Sequence, residues 1–380
     1  MLRLASYNVE NLFERAKILN RDEWVDSDSG ADRRDAARQM LTDFAKLNAV
    51  LAKDVYNDAD KAEILALLEA LGLGASDESK FVILRRNRRS LVKRTGGVTT
   101  VVAEGRDDWI GWLELKTEAV NEKATQNTAR IIGKLRADIM VVVEAEHRPS
   151  LLRFNEQVIA PTAGWSFDHV ALIDGNDERG IDVGLMSREP HALDFVRTHV
   201  DDTIDGKRVF SRDCAEFHFA LGDGRRLVIL ANHLKSKGYG QPAENDATRK
   251  RQATRIREIY QGLRAAGNEL VSILGDLNDS PDRDPLSPLL GAGSDLRDVS
   301  EIAGFDFAGR PGTFGNGTAG DKIDYILLSP ALFALARAGG IDRSGVWGGT
   351  NGTLFPHIPE ITKAAEAASD HAAIFVDLDL

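Results

Sequence analysis

Short apolar runs that each end in a polar side chain recur along this chain, and they predict buried β-strands. The run at residues 139–143 has no polar interruption and stops at Glu144. Continuous apolar runs indicate strands that are covered on both faces, as in layered α/β proteins. The predicted strands lie at residues 2–9, 139–143, 180–188, 225–238, 269–278, 322–330 and 369–380.

Helical spacing of apolar residues appears between these strands. It predicts helices at about residues 40–51, 64–71, 128–135 and 249–263. Thr128 is placed to cap the third helix, and Gly72 and Gly74 are placed to end the second. Residues 80–105 predict two strands joined around Gly96 and Gly97, and another strand follows within residues 107–121. The mixture of elements predicts an α/β fold.

The polar residues at the strand ends are of types that carry chemistry. They are Asn8, Glu144, His233, Asp276, Asn278, Asp324 and His371. If the strands lie side by side, their ends share one rim and these side chains converge there. Asp276 and Asn278 are two positions apart, so they face the same way on a strand. Gly275 would allow backbone or substrate to come close.

The donor atoms of these side chains indicate which metal they could hold. Carboxylate and amide oxygens suit Mg²⁺, Mn²⁺ or Ca²⁺ better than Zn²⁺. Cys214 is the only cysteine, which excludes an internal disulfide and a cysteine-rich zinc site. Histidines beside such a metal can stabilise phosphate charge or exchange protons near neutral pH. These are the parts that phosphate-ester hydrolysis needs.

Six motifs in order, SYNVENL, DIMVVVEAE, NHLKSK, GDLND, KIDYILLS and SDH, resemble the endonuclease/exonuclease/phosphatase superfamily. That superfamily includes pancreatic-type deoxyribonucleases, apurinic-site endonucleases, neutral sphingomyelinases and inositol-polyphosphate phosphatases, and the motifs look most like its uncharacterised bacterial nuclease-like members. The resemblance covers residues 2–12 and 127–380. It implies a four-layer α/β/β/α sandwich with two mixed sheets. It also implies one domain over residues 1–380, with a large helical and hairpin insertion at about 15–126.

The resemblance also implies a metal site. Glu144 matches the metal carboxylate, and Asn8 matches the amide that supports metal or phosphate. Asp370 matches a residue of the metal shell. Val143 stands where many members have glutamine, which removes an amide beside the site but leaves the ligand itself.

The catalytic groups follow from the same resemblance. Asp276 matches the aspartate that orients or deprotonates the attacking water, and Asn278 matches the amide beside it. His371, oriented by Asp324, matches the histidine of the final Ser-Asp-His. His233 matches a second histidine that contacts the phosphate. Which of these groups is the base stays open.

Each of these residues also has a purely structural interpretation. Asp276 and Asn278 could form an Asx turn. Asp324 could pair with Lys322 at the surface. Four other histidines, for which no catalytic role is expected, are His147, His169, His218 and His357.

Charge bears on the choice of substrate. The formal net charge of −11 argues against a protein that coats nucleic acid through bulk positive charge. A local basic run is either a phosphate-backbone clamp or the solvated face of a hairpin. The residues that could contact nucleic acid are Arg85, Arg86, Arg88, Arg89, Lys235 and Lys237, and the basic helix near residue 249 could extend this track. Trp109 and Trp112 are expected to pack in a core or at a sheet edge rather than to stack on bases.

We therefore expect a divalent-metal-dependent phosphodiester hydrolase, an endo- or exonuclease on DNA or RNA. The alternatives are a phosphatase or phospholipase on a phosphorylated small molecule or lipid head group, and a non-catalytic nucleic-acid-binding module on the same scaffold. No apolar run approaches 18 residues and no signal-peptide pattern is present, so we expect a cytoplasmic protein without membrane contact. The pattern specifies no oligomeric state.

Overall fold

The computed structural model of the protein describes residues 1–12, 17–19, 30–117, 121–177, 180–237 and 241–380. The chain divides into two compact units, and each has its own buried core. We call residues 1–13 with 120–380 the sheet unit and residues 14–119 the hairpin unit. The assignment of the whole chain to one domain with an insertion at about residues 15–126 stays a prediction, and residues 15–16, 20–29 and 118–120 of that segment lie outside the described ranges.

The elements are numbered in chain order. The strands are β1 (Leu2–Leu12), β2 (Val82–Arg88), β3 (Val92–Thr95), β4 (Val98–Val101), β5 (Ile110–Leu115), β6 (Ile139–Ala145), β7 (His169–Ile173), β8 (Asp182–Ser187), β9 (Leu193–Arg197), β10 (Thr203–Ile204), β11 (Lys207–Arg208), β12 (Cys214–Ala220), β13 (Arg226–His233), β14 (Leu270–Asp276), β15 (Arg297–Asp298), β16 (Asp324–Leu328), β17 (Ala336–Asp342) and β18 (Ala373–Leu378). The α-helices are α1 (Gly30–Leu51), α2 (Asp58–Ala70), α3 (Glu122–Leu135), α4 (Arg148–Phe154), α5 (Ala160–Ala163), α6 (Pro242–Ala265), α7 (Ser287–Leu290) and α8 (Pro330–Phe333).

Two six-stranded mixed sheets form the sheet unit. The first has the strand order β17-β18-β1-β6-β8-β7, and the second has the order β15-β16-β14-β13-β12-β9. Each sheet has one parallel pair near its centre, β1 with β6 and β13 with β14. The other pairings are antiparallel.

The two sheets pack face to face between layers of helix. Leu4 and Val141 of the first sheet share one core with Phe217 and Ile229 of the second. Burying each such side chain contributes roughly 2 kcal/mol, so this shared core holds the sheets together. Helices α3 and α4 cover the outer face of the first sheet, and α6 covers that of the second. The predicted four-layer α/β/β/α sandwich is confirmed.

Helix α3 begins earlier than predicted. The Asn121 side chain accepts hydrogen bonds from the amides of Lys123 and Ala124, so Asn121 caps the helix. The predicted Thr128 cap is wrong, because Asn121 already provides an acceptor about two turns earlier. The buried Thr128 hydroxyl instead donates to the carbonyl of Ala368 at 2.6 Å.

The hairpin unit contains two antiparallel strand pairs, β2 with β5 and β3 with β4. Residues 80–105 hold three strands rather than the predicted two, because Arg89 takes a positive φ of 54° and turns the chain out of β2. Gly96 and Gly97 do form a turn, between β3 and β4. Leu47, Ile64 and other apolar residues of α1, α2 and the hairpins make the core. Across the described ranges, no helix has both the length and the apolar character needed to cross a membrane.

Candidate active site

Both sheets deliver polar side chains to one place at their strand ends. The first sheet supplies residues of β1, β6 and the segment before β18, and the second supplies residues at the ends of β13 and β14 and at the start of β16. These residues are Asn8, Glu144, Asp370, His371, His233, Asp276, Asn278 and Asp324. Each of the eight lies within 4 Å of at least one other member, so the structure brings together every site residue that was predicted in this unit outside the loop lysines.

Asn8 lies at the centre of this cluster. Its Nδ2 atom is 3.2 Å from Glu144 Oε1, 3.5 Å from Asp276 Oδ2 and 3.4 Å from His371 Nε2. The Ser369 hydroxyl donates to the carbonyl of Asn8 at 2.7 Å and fixes the end of β1 against the segment before β18. Asn8 therefore contacts groups from both sheets.

Asp324 orients His371 across the two sheets. His371 Nδ1 lies 2.8 Å from Asp324 Oδ2, and the Thr313 hydroxyl donates to the same oxygen at 2.6 Å. Burial disfavours the charged imidazole, but the carboxylates of Asp324, Asp276 and Asp370 outweigh it and raise the pKa of His371 well above its usual value. His371 is thus held as a donor whose Nε2 atom faces Asn8 and Asp276.

Asp276 and Asn278 form a tight pair at the end of β14. The Asn278 amide donates to Asp276 Oδ1 at 2.8 Å, and the Asn278 side chain donates to Asp276 Oδ2 at 3.1 Å. The Asx-turn interpretation and the site interpretation therefore hold together, since the turn presents both side chains to the cluster. Burial, and then repulsion by Asp324, raise the pKa of Asp276 to about 8.

Only glycine fits at position 275, just before Asp276, because the neighbouring strand leaves no room for a side chain. Gly275 has φ of +128°, and a Cβ atom there would lie 1.9 Å from the carbonyl oxygen of Asn232 on β13. The close approach predicted for Gly275 is therefore between its own backbone and that of Asn232, and it brings the ends of β13 and β14 together.

His233 lies at the end of β13, beside two carboxylates. Its Nε2 atom is 3.7 Å from Glu144 Oε1 and 3.6 Å from Asp276 Oδ2. The side chain is buried, so it adds a second imidazole to the wall of the site opposite His371 on the other sheet.

Glu10 belongs to the site although the sequence analysis did not name it. Its Oε2 atom accepts from the Asp370 amide at 2.8 Å, and its own amide donates to Asn8 Oδ1 at 3.2 Å. Burial, followed by repulsion from Asp370, raises the pKa of Glu10 to about 7. The alternate spacing that singled out Asp276 and Asn278 also applies to Asn8 and Glu10, and this signal could have found it.

A buried ion pair holds the two loops that leave the second sheet. Arg249 and Asp279 are both 0% exposed, and Arg249 Nε lies 3.1 Å from Asp279 Oδ2. Arg249 also donates to the carbonyl of Lys235 at 2.9 Å, and Lys237 Nζ lies 2.9 Å from Asp279 Oδ1. Lys237 is thus paired with a buried carboxylate, and the contact of Lys235 and Lys237 with nucleic acid stays a prediction. The idea that this helix extends a basic track is wrong for Arg249, which faces inward.

The predicted basic run lies in the hairpin unit. Arg85 pairs with Glu114, and Arg89 pairs with Asp108. Arg86 and Arg88 have no carboxylate partner within the described part of the chain. Of the two tryptophans, Trp109 is buried in the core as expected. Trp112 lies on an edge strand, hydrogen-bonds to Glu114 and is 50% exposed.

The remaining structural interpretations are resolved by contacts. Lys322 pairs with Asp298 at 2.5 Å, so Asp324 is not part of a surface ion pair. The four histidines without an expected catalytic role each contact another residue: His147 contacts Ser150, His169 contacts Glu189, His218 contacts Glu216 and His357 contacts Trp347.

Comparison with known families identifies the fold. The model of the endonuclease/exonuclease/phosphatase family matches residues 119–371, which is more than half of the chain. The chain belongs to the endonuclease/exonuclease/phosphatase family. This family includes nucleases and phosphatases, and its matched region contains every site residue above except Asn8 and Glu10.

Several solved structures are similar to this chain. A mannosyl-6-phosphatase of Bacteroides thetaiotaomicron is 17% identical over 68% of this chain and 91% of that chain, with a TM-score of 0.48. A truncated TDP2 of Caenorhabditis elegans is 17% identical over 67% of this chain and 88% of that chain, with a TM-score of 0.45. The catalytic domain of human nocturnin with bound sulfate is 15% identical over 68% and 86%, with a TM-score of 0.47. A comparison with curated proteins found no match.

Proposed function

We propose that this protein is a divalent-metal-dependent phosphodiester hydrolase whose substrate is DNA or RNA. The observation that carries this proposal is the convergence of carboxylate, amide and imidazole groups from both sheets on one site. Asn8 from the first sheet and Asp276 from the second are 3.5 Å apart at its centre. Three kinds of group in one place suit metal binding, water alignment and stabilisation of phosphate charge.

The donor set fits a hard cation. Glu144 Oε1 lies 3.2 Å from the Asn8 side chain, and the carboxylates of Glu10, Asp370 and Glu144 are close enough to repel one another. We assign these groups to Mg²⁺ or Mn²⁺, with Ca²⁺ as a chemically compatible alternative. When bound, such an ion polarises a phosphate oxygen and lowers the pKa of a water ligand.

A second set could also hold an ion, since Asp276, Asp324 and His371 offer ligand atoms within 4.8 Å of one another. All three are buried, and Asp324 already engages His371 at 2.8 Å. We therefore assign these three residues to proton and phosphate chemistry rather than to the metal.

The protein groups then divide the reaction between them. Asp276 orients the attacking water and accepts its proton, because its carboxylate lies at the centre of the cluster beside Asn8 and His371. His371, oriented by Asp324, donates a hydrogen bond to the phosphate as negative charge develops. His233 and Asn278 hold the other phosphate oxygens.

The substrate class rests on the hairpin unit, where Arg86 and Arg88 offer charge to a polymer. The alternative of a phosphorylated small molecule or lipid head group draws support from the ion pairs that neutralise Arg85 and Arg89. A non-catalytic binding module would not need the His371–Asp324 bond or the buried Asp276.

A substrate panel with and without EDTA tests the proposal. Supercoiled plasmid, single-stranded DNA, RNA, sphingomyelin, inositol phosphates and bis(p-nitrophenyl) phosphate cover the candidate classes. We expect hydrolysis of nucleic acid that EDTA removes and that Mg²⁺ or Mn²⁺ restores. Cleavage of the small natural phosphates alone would contradict the assignment of nucleic acid and favour the phosphatase.

Two variants test the site itself. Asp276→Asn and His371→Ala should each lower the rate of diester hydrolysis by about 10²–10⁴-fold, because a positioned proton-transfer group is lost. His169→Ala is the matched control, since His169 pairs with Ser187 at the far end of β8 from the site. Circular dichroism and thermal unfolding check that the variants fold. Full activity in either site variant would refute the assignment.

A further inference from the structure

The outer face of the β2–β5 pair combines basic and apolar side chains. In its register, Arg85 is opposite Trp112, and Arg88 is opposite Ile110. Residues directly opposite each other project from the same face of an antiparallel pair. We call Arg85, Arg88, Ile110 and Trp112 the hairpin face.

The apolar side chains of the hairpin face are open to solvent. Trp112 is 50% exposed and Ile110 is 42% exposed, whereas Leu84 and Leu113 on the opposite face of the same strands are buried in the core. The Trp112 side chain hydrogen-bonds to Glu114, two positions along the same strand, while half of its surface stays open to solvent. The hairpin face therefore has the character of a binding surface rather than of a displaced core.

The backbone next to Trp112 packs tightly against the buried side of the strand pair. A Cβ atom at Gly111 would lie 2.1 Å from the Trp109 ring and 2.3 Å from the carbonyl oxygen of Arg85, so the ring and both strands are in close contact there. The buried Trp109 indole donates to the Tyr56 hydroxyl at 3.0 Å. Trp112 thus lies on a tightly packed backbone, so less conformational entropy is lost when a ligand binds to it.

The arginines of this region differ in their hydrogen-bond partners. Glu114 accepts two bonds from Arg85, at 2.9 and 3.0 Å, and so orients that guanidinium beside Trp112. Arg86 donates to the Ser90 hydroxyl at 2.8 Å. Within the described residues, neither Arg86 nor Arg88 meets a carboxylate. Arg86 is opposite Gly111 and so projects from the other face of the strand pair. On the hairpin face itself, the charge of Arg88 therefore stays available for an anionic ligand.

We propose that the hairpin face binds single-stranded nucleic acid, with a base stacked on Trp112 and a neighbouring phosphate neutralised by Arg88. Unpaired bases expose their faces to an aromatic side chain, and the phosphates recur beside them along the strand. In a duplex the base faces are stacked on one another and are not available to Trp112. This inference rests on the proposed function, because it assumes a nucleic-acid substrate, and it adds the preference for unpaired strands.

Binding in EDTA separates this surface from the chemistry. Fluorescence anisotropy with labelled oligothymidylate and oligouridylate should show that Trp112→Ala weakens binding about tenfold or more. Trp112→Phe keeps an aromatic ring and should retain most of the affinity. Trp112→Leu keeps apolar area without a ring, and it should lose as much affinity as Trp112→Ala.

Charge is tested through the salt dependence. Arg88→Ala should reduce the slope of log affinity against log salt by about 0.7, the value for one phosphate contact on a single strand. Arg225→Ala is the matched control and should leave the slope unchanged. Arg225 precedes β13, at the opposite end of that strand from His233, and it pairs with Asp223.

Hydrolysis of bis(p-nitrophenyl) phosphate gives the separate readout for the active site. Trp112→Ala and Arg88→Ala should hydrolyse this small diester at the wild-type rate, because it contacts no second surface. Wild-type affinity in Trp112→Ala would overturn the binding surface, and full affinity in Trp112→Leu would overturn the stacking of a base on the Trp112 ring. Failure of wild-type protein to hydrolyse any phosphoester with metal would instead overturn the proposed function.

Discussion

Glu216 shows how strongly one buried carboxylate depends on its neighbours. Its oxygens lie 3.1 Å from His199 Nε2, 2.5 Å from His218 Nε2 and 3.2 Å from Arg197 Nη1. Burial opposes its ionisation, but the hydrogen bonds from His199 and His218 and the charge of Arg197 outweigh burial and lower the pKa of Glu216 to about 2. This cluster lies on the α6 side of the second sheet, next to the core that packs that helix.

The lowered pKa predicts a stability loss in acid. A carboxyl group whose pKa falls on folding, here from its ordinary 4.5, stabilises the folded state above that value. Its contribution, on the order of 3 kcal/mol, disappears as the pH falls from about 4.5 towards about 2. Denaturant unfolding of wild type and Glu216→Gln should differ strongly at pH 7 and much less at pH 2.5. An equal difference at both pH values would contradict this account.

At the scale of elements, helix α6 and the loop after β14 are joined by Arg249 and Asp279. Arg249→Met should cost about 3–5 kcal/mol of unfolding free energy, because Asp279 is then buried without its main cation. Arg249→Met with Asp279→Leu should recover part of that loss. Lys250→Met, which removes an exposed cation paired with Asp284, is the control and should stay within about 0.5 kcal/mol. Denaturant titrations of the four proteins give the comparison.

Hydrolysis of the small diester tells positioning apart from stability. Arg249 holds the carbonyl of Lys235, one residue beyond the loop carbonyl that Asn278 contacts. Arg249→Lys keeps the charge but loses the fork-shaped donor, so we expect a lower kcat with little change in stability. An unchanged kcat in that variant would show that the ion pair serves stability alone.

Strong apolar runs made the central strands predictable. The interiors of β6 and β14 read as continuous apolar segments because both faces are covered, and their ends fall within two residues of the predicted ones. Weaker patterns failed where a local polar contact decided the boundary. Asn121 rather than Thr128 starts α3, and the positive φ of Arg89 separates two strands that the sequence pattern joined.

The positions of the candidate site residues could be predicted wherever the strands that carry them could be predicted. Asp276, His371 and the other strand-end groups follow from the position at which each apolar run stops. The spacing of Glu10 after Asn8 marks its position, but the partners of Glu10 and of Arg249 did not follow, because they lie on segments distant in sequence. Glu10 is recognised by the Asp370 amide and Arg249 by Asp279. Pattern along one segment cannot specify such partners.

At the scale of the whole molecule, the two units have separate cores. Leu68 is fully buried in the core of the hairpin unit. Leu68→Ala should destabilise that unit by about 2–5 kcal/mol through the cavity it leaves. Calorimetry should show one shifted transition, while hydrolysis of the small diester stays at the wild-type rate because the sheet unit supplies every site residue. Loss of that hydrolysis below the shifted transition would show that the hairpin unit is needed for the chemistry.

Neither sheet alone contains the whole candidate site, since Asp324 contacts His371 and Asp276 contacts Asn8 only between the two sheets. For the proposed hydrolase, we therefore expect activity during refolding to appear only when the two sheets dock, however early each sheet forms its own strands. A stopped-flow time course of recovered turnover would then measure the rate at which the two sheets dock, which is the last cooperative step of folding.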